Sequence, residues 1–180
     1  MPEESIHRDE NDPLNDPDPS PAKRGAPRCE ILLLNPSRYQ EVAARRLRPW
    51  LQDLVTEMAP PATSLAIRFT SDREMQSLNA QWRGKDRPTD VLSFPAELRG
   101  FPADLPASST SPGDDQHLGD IAISVPTARR QARHSDHSLE QEFRTLILHG
   151  LLHCLGYDHE TDDGEMKRLE TELRRRWITP

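Results

Sequence analysis

The segment HGLLHCLGYDH, His149 to His159, holds three of the chain's seven histidines. His149 and His153 are four apart, the spacing that sets two side chains on one face of an α-helix. Gly156 follows, a residue that tolerates positive φ and can end a helix, so the chain is expected to turn back and bring His159 toward the same point. Three neutral imidazoles at one vertex suit Zn²⁺, at about 2.0–2.1 Å, and leave the fourth tetrahedral position for water. That is the open coordination of a catalytic ion; a structural zinc usually closes its shell with cysteines.

Two histidines four apart also occur as caps or surface residues, so HxxxH by itself separates nothing. The full spacing HxxxHxxGxxH matches that of the metzincin zinc peptidases. Those enzymes carry a glutamate directly after the first histidine as general base, and here that position is Gly150, which cannot take a proton. The spacing therefore indicates a metal and the missing carboxylate indicates a different reaction. Cys154, the nearby thiol, falls on the apolar stripe of the same helix and is rejected as a ligand.

The element that must hold the first two histidines is the helix predicted over 138 to 154, whose stripe is Leu139, Phe143, Ile147, Gly150, Leu151 and Cys154. Short apolar or alternating runs predict strands at CEILLLN (29 to 35), SLAIRFT (64 to 70), DVLSFP (90 to 95) and LGDIAISV (118 to 125). Helices are predicted from Tyr39 to about Val55 with an interruption at Pro49, over SDREMQSLNAQWR with Ser71 as cap and Glu74 three residues on, over VPTARRQARHSDH, and over GEMKRLETELRRRW. Strands and helices mixed irregularly, with helices grouped late, predict an α+β fold: a single domain with one small mixed sheet and several helices, the metal site at the C-terminal end of a core helix.

At 180 residues the chain fits one domain. Its net charge of −7 is concentrated at the start, where the first twenty residues hold seven Asp or Glu against one Arg, so the remainder is nearly neutral and does not exclude a nucleic-acid partner. Residues 1 to 28 combine proline with like charge and are expected to be a disordered tail, leaving 29–180 as the catalytic domain, with 96 to 116 as a variable inserted loop. No secretory or transit signal and no membrane span are expected, and two cysteines make no disulfide framework, so a cytoplasmic protein is expected.

HGLLHCLGYDH, together with WRGKDRPTDVLSFP (82 to 95) and LGDIAIS (118 to 124), closely resembles the YbeY family of endoribonucleases. The resemblance covers about residues 29 to 176, apart from 96 to 116. It implies a zinc protein that cuts single-stranded RNA and acts in 16S ribosomal RNA 3′-end maturation and ribosome quality control. The implied partners are ribosomal RNA and the small ribosomal subunit, with no DNA expected. It also implies one zinc ion on His149, His153 and His159 and a catalytic arginine at Arg83. Physically, phosphodiester cleavage builds negative charge on the phosphoryl oxygens, which a divalent ion and one fixed guanidinium can stabilise.

Other expectations are narrower. Gly84 should allow close backbone approach beside Arg83, Asp90 should orient the loop, and Asp158 and Glu142 are candidates to orient the ligand histidines. The arginine clusters at 45 to 48, 129 to 133 and 174 to 176 are the available RNA contacts, although each by itself reads more readily as a solvated helix face. Sparse aromatics suggest no stacking platform of the RRM or OB kind. His134 and His137 read as a polar helix end. Two other functions fit the ligand set: a zinc hydrolase of non-RNA substrates, and a ribosome-assembly factor whose zinc is mainly structural.

Overall fold

The computed structural model describes residues 29–35, 38–59, 64–96, 117–159 and 161–179. The segments 1–28 and 97–116, where a tail and a variable loop are expected, lie outside the described residues. The element order is β1 (Glu30–Leu34), α1 (Ala44–Met58), β2 (Ser64–Thr70), α2 (Asp72–Arg83), β3 (Val91–Pro95), β4 (His117–Ser124), α3 (Val125–His134), α4 (Leu139–Cys154) and α5 (Glu165–Trp177). The four strands form one sheet in the order β1-β2-β4-β3. β1, β2 and β4 run parallel, and β3 pairs antiparallel with β4, so the sheet is mixed and the α+β expectation holds.

The pleat divides the sheet into two faces. Leu65, Ile67 and Phe69 of β2 and Ile121 and Ile123 of β4 point to one side, where they meet Leu47, Leu51 and Leu54 of α1 and Phe143, Ile147 and Leu151 of α4. Phe69 and Phe143 meet edge to face at 5.5 Å across this core. Each such side chain contributes roughly 1.5–3 kcal/mol by leaving water. The other face carries Leu92, Phe94 and Ala122, covered by Met75 and Leu78 of α2.

Local signals explain the helix starts. Ser71 and Glu74 form a reciprocal capping box at α2, and Ser138 with Gln141 does the same at α4. α1 departs from expectation: it begins at Ala44 rather than Tyr39 and runs unbroken through Pro49. Proline removes a single i→i−4 donor there, early in the helix, while Leu47, Trp50, Leu51, Leu54 and Val55 are buried on both sides of it. Tertiary packing outweighs the local defect.

α4 is the helix that matters for chemistry. It lies against β3, β4, α3 and α5, and Glu142 through Leu152 includes eight buried residues. A helix enclosed this way is a rigid mount for the side chains at its last two turns. Among the described residues no helix is long and apolar enough to cross a membrane.

Candidate metal centre

His149 and His153 project from the last turns of α4, four residues apart. Their ring centroids are 4.8 Å apart and nearly perpendicular. The helix ends in a paired closure: the Gly156 N–H donates to the His153 carbonyl and the Tyr157 N–H to the Leu152 carbonyl, both at 3.0 Å. Gly156 has φ +91°, where an L side chain is strained, so glycine is required for this closure. The reversed chain brings the His159 ring to 5.5 Å from His149 and 5.2 Å from His153. One potential ligand atom from each of the three lies within 4.8 Å of the others. The convergence expected from the spacing is the observed geometry.

The surroundings of His153 favour its neutral, metal-donating form. Burial, followed by the neighbouring His149 and His159, holds His153 below its ordinary 6.5. His149 Nδ1 lies 3.2 Å from Glu170 Oε1, and Glu170 is gripped by Arg174 at 2.7 Å. Burial alone would raise the Glu170 carboxyl, but the hydrogen bonds from His149 and Arg174 outweigh it and hold the group below 4.5. As a carboxylate, Glu170 can only accept a hydrogen bond, from the Nδ1–H of His149, which leaves Nε2 as the nitrogen free to bind a metal. Three imidazoles, one fixed by a carboxylate behind it, fit a divalent ion of the zinc type.

Glu170 was not singled out from sequence, although a signal exists. It stands four residues after Met166 and three before Leu173, both buried, so a carboxylate occupies the apolar face of α5. Of the two carboxylates that were expected to orient the histidines, Asp158 lies 3.9 Å from His159 Nδ1. Glu142 does not reach the trio: it is buried and pairs with His137 at 3.0 Å, at the other end of α4. Two turns along the helix carry it too far from the last histidines.

Gly150 has a physical reason. A Cβ there would stand 2.9 Å from Ile121 Cγ2 and 3.0 Å from Ser93 Oγ, so α4 lies directly on the sheet at this point. No glutamate fits in the place where a zinc peptidase keeps its base. Cys154 is also unsuited to a metal: burial, with the charge of Asp120, pushes its thiol up to about 12.

Arg83 closes α2 and is exposed. Among the described residues its side chain makes no hydrogen bond or ion pair, and nothing links it directly to the histidines. Gly84, with φ +66°, forms the left-handed cap of α2, and nothing lies within 4 Å of where its Cβ would be. Asp90 does orient its surroundings, accepting from Val91 N–H and from Gln131 Nε2, each at 2.8 Å. Most of the arginine clusters are structural. Arg46 pairs with Glu140, Arg129 with Glu41, Arg130 with Asp72, Arg174 with Glu170 and Arg176 with Glu57.

The chain is similar to known proteins over most of its length. The family model described as Endoribonuclease YbeY matches residues 33–177. A protein of Picosynechococcus sp. named Endoribonuclease YbeY is 43% identical over 152 residues, covering 80% of this chain and 90% of that one. A protein of the same name from Aquifex aeolicus is 38% identical over 133 residues, covering 73% and 79%. The solution structure of TM1509 from Thermotoga maritima superposes with a TM-score of 0.51 at 26% identity, covering 82% of this chain and 91% of that one. The histidine trio, the glycine that excludes a peptidase base and the fold thus coincide with a match over most of the chain, which belongs to the Endoribonuclease YbeY family.

Proposed function

We propose that this chain is a zinc-dependent endoribonuclease that cuts single-stranded RNA and acts in the cytoplasm on the small ribosomal subunit, in 16S ribosomal RNA 3′-end maturation and ribosome quality control. The observation that carries the reading is the convergence of His149, His153 and His159 in a chain whose relatives bear the name Endoribonuclease YbeY. The ribosomal role extends the motif resemblance.

A divalent ion bound by the three imidazoles would supply a Lewis acid for the scissile phosphodiester and an activated water. The residues themselves do the rest. Glu170 fixes the His149 tautomer, and the closure at Gly156 fixes the approach of His159. Arg83, exposed and without a carboxylate partner among the described residues, offers its guanidinium to the charge that develops on the phosphoryl oxygens. Gly150 opposes the peptidase alternative, because the contact of α4 with Ile121 leaves no space for a carboxylate there.

The test is to incubate metal-loaded protein of measured zinc content with ribosomal RNA fragments and, separately, with casein. RNA is cleaved and casein is untouched if the reading is right. Casein cleavage with intact RNA would replace it with a peptidase, and cleavage of neither, with unfolding on chelation, would replace it with a structural zinc.

A further inference from the structure

The last turn of α2 presents an unusual pair of neighbours. Trp82 is 38% exposed, the one large hydrophobic side chain in that class among the described residues. Its ring does not hang free: it meets Phe94 edge to face, with centroids 5.6 Å apart and an interplanar angle of 77°. Phe94 therefore sets the attitude of the indole on the surface. The Phe94 backbone in turn hydrogen-bonds Cys154, the residue after His153, so one strand, β3, at the edge of the sheet, connects the tryptophan to the end of α4.

The turn after Trp82 is held firmly and is strongly basic. Gly84 N–H donates to the Ala80 carbonyl and Lys85 N–H to the Asn79 carbonyl, each at 3.2 Å. Asn79, 3% exposed, donates to the Arg87 carbonyl at 2.7 Å. The acidic residue in the turn, Asp86, is taken by Gln76 at 2.8 Å and not by its basic neighbours. Arg83, Lys85 and Arg87 are exposed, and among the described residues their side chains have no hydrogen bond or ion pair. Several arginines elsewhere are paired with carboxylates, as at Arg46, Arg130 and Arg174, while Arg45, Arg73, Arg133 and Arg175 stand singly, without an aromatic neighbour of this kind among the described residues.

A fixed aromatic face beside three exposed cations, none in an ion pair, on an anchored turn is the combination that binds a single-stranded nucleic acid: cations follow the phosphates and the ring stacks on an unpaired base. We propose that Trp82 is a base-stacking subsite for the RNA substrate, with Lys85 and Arg87 holding the adjoining phosphates, so that the strand crosses the β3 edge toward the histidine trio. A duplex cannot use this subsite, because its bases are stacked on each other. The inference rests on the endoribonuclease reading and adds to it a physical source of single-strand preference. One residue, not a sheet of aromatics, does what composition gave no reason to expect.

The test measures binding of a short fluorescein-labelled single-stranded RNA by anisotropy, with His153→Ala protein to prevent turnover, and compares W82F, W82L and W82A in that background. W82F keeps a ring and should bind within a few fold of Trp82. W82L fills the space against Phe94 without a π face and, like W82A, should bind about ten- to a hundredfold more weakly, with an unchanged slope of affinity against salt. An abasic nucleotide moved along the RNA should reproduce the loss at one position with Trp82 present and add nothing in W82L. Equal binding by folded W82L and Trp82 proteins, while the wild type still cleaves RNA, overturns the subsite alone. Failure of the wild type to bind or cleave RNA overturns the subsite and the parent reading together.

Discussion

The Nδ1 of His149 stands 3.2 Å from the Glu170 carboxylate, which Arg174 holds from α5 at 2.7 Å. The orientation of a candidate ligand on α4 is thus set by a residue 21 positions later, on another helix. Replacing Glu170 by leucine should leave the Nδ1 proton without an acceptor and weaken metal affinity about 10- to 100-fold. Glu170→Gln keeps an acceptor oxygen and should lose much less. Competition with a zinc chelator at fixed pH measures both, and equal affinities for wild type and E170L would show that His149 needs no support.

Gly150 offers a prediction in which two effects oppose. Alanine inside a helix gains about 0.5–1 kcal/mol over glycine from backbone entropy. Here its Cβ would meet Ile121 Cγ2 at 2.9 Å and Ser93 Oγ at 3.0 Å, and overpacking of that kind costs about 1–3 kcal/mol. Gly150→Ala should therefore be destabilised on balance, as read by urea unfolding. A stabilised G150A would mean that α4 can lift from the sheet without cost.

Asp72 ties α2 to α3, accepting from Thr127 at 2.7 Å, from Arg130 at 2.8 Å and from the buried Ser124 hydroxyl. Burial would raise its carboxyl, but the hydrogen bonds from Arg130, Ser124 and Thr127 outweigh it and place the group below its ordinary 3.8. For a carboxylate with a depressed folded value, the stabilisation is present above 3.8 and is lost as pH falls through that lower value. Asp72→Ala should cost roughly 1–3 kcal/mol at neutral pH. The gap from wild type should narrow under acid conditions; a gap independent of pH would remove the electrostatic account.

The histidine trio was legible because everything that builds it is local: the four-residue spacing, the glycine turn and the third histidine lie within eleven residues. The sheet was legible too, since each strand showed its own apolar run. What sequence did not reveal depends on packing between distant segments. Glu142 is near the histidines in sequence and on the same helix, yet it pairs with His137, whereas Glu170 arrives from α5. The unbroken path of α1 through Pro49 has the same origin, for burial of Trp50 and Leu51 overrides a local signal. Likewise Gly84 and Gly150 were visible as residues but their reasons, a left-handed cap and a closely approached sheet, were not.

The basic turn after α2 predicts how RNA affinity responds to salt. Each phosphate contact to a single strand contributes about 0.7 to the slope of log affinity against log salt. Changing Lys85 and Arg87 to glutamine should flatten the slope by about that amount per residue, while Arg46 and Arg129, already paired with Glu140 and Glu41, should contribute less. Titrations at several salt concentrations read this directly; an unaltered slope in the double variant would place the RNA elsewhere.

The most direct measurement of the central claim is cleavage of single-stranded ribosomal RNA by wild-type, His153→Ala and Arg83→Ala proteins, purified identically and shown to be folded, with zinc content determined for each. Wild type should carry about one ion per chain and cut the RNA. H153A should lose both ion and cleavage, and R83A should keep the ion and lose cleavage. Equal cleavage by all three would contradict the assignment of the histidine trio and Arg83 as the site of reaction.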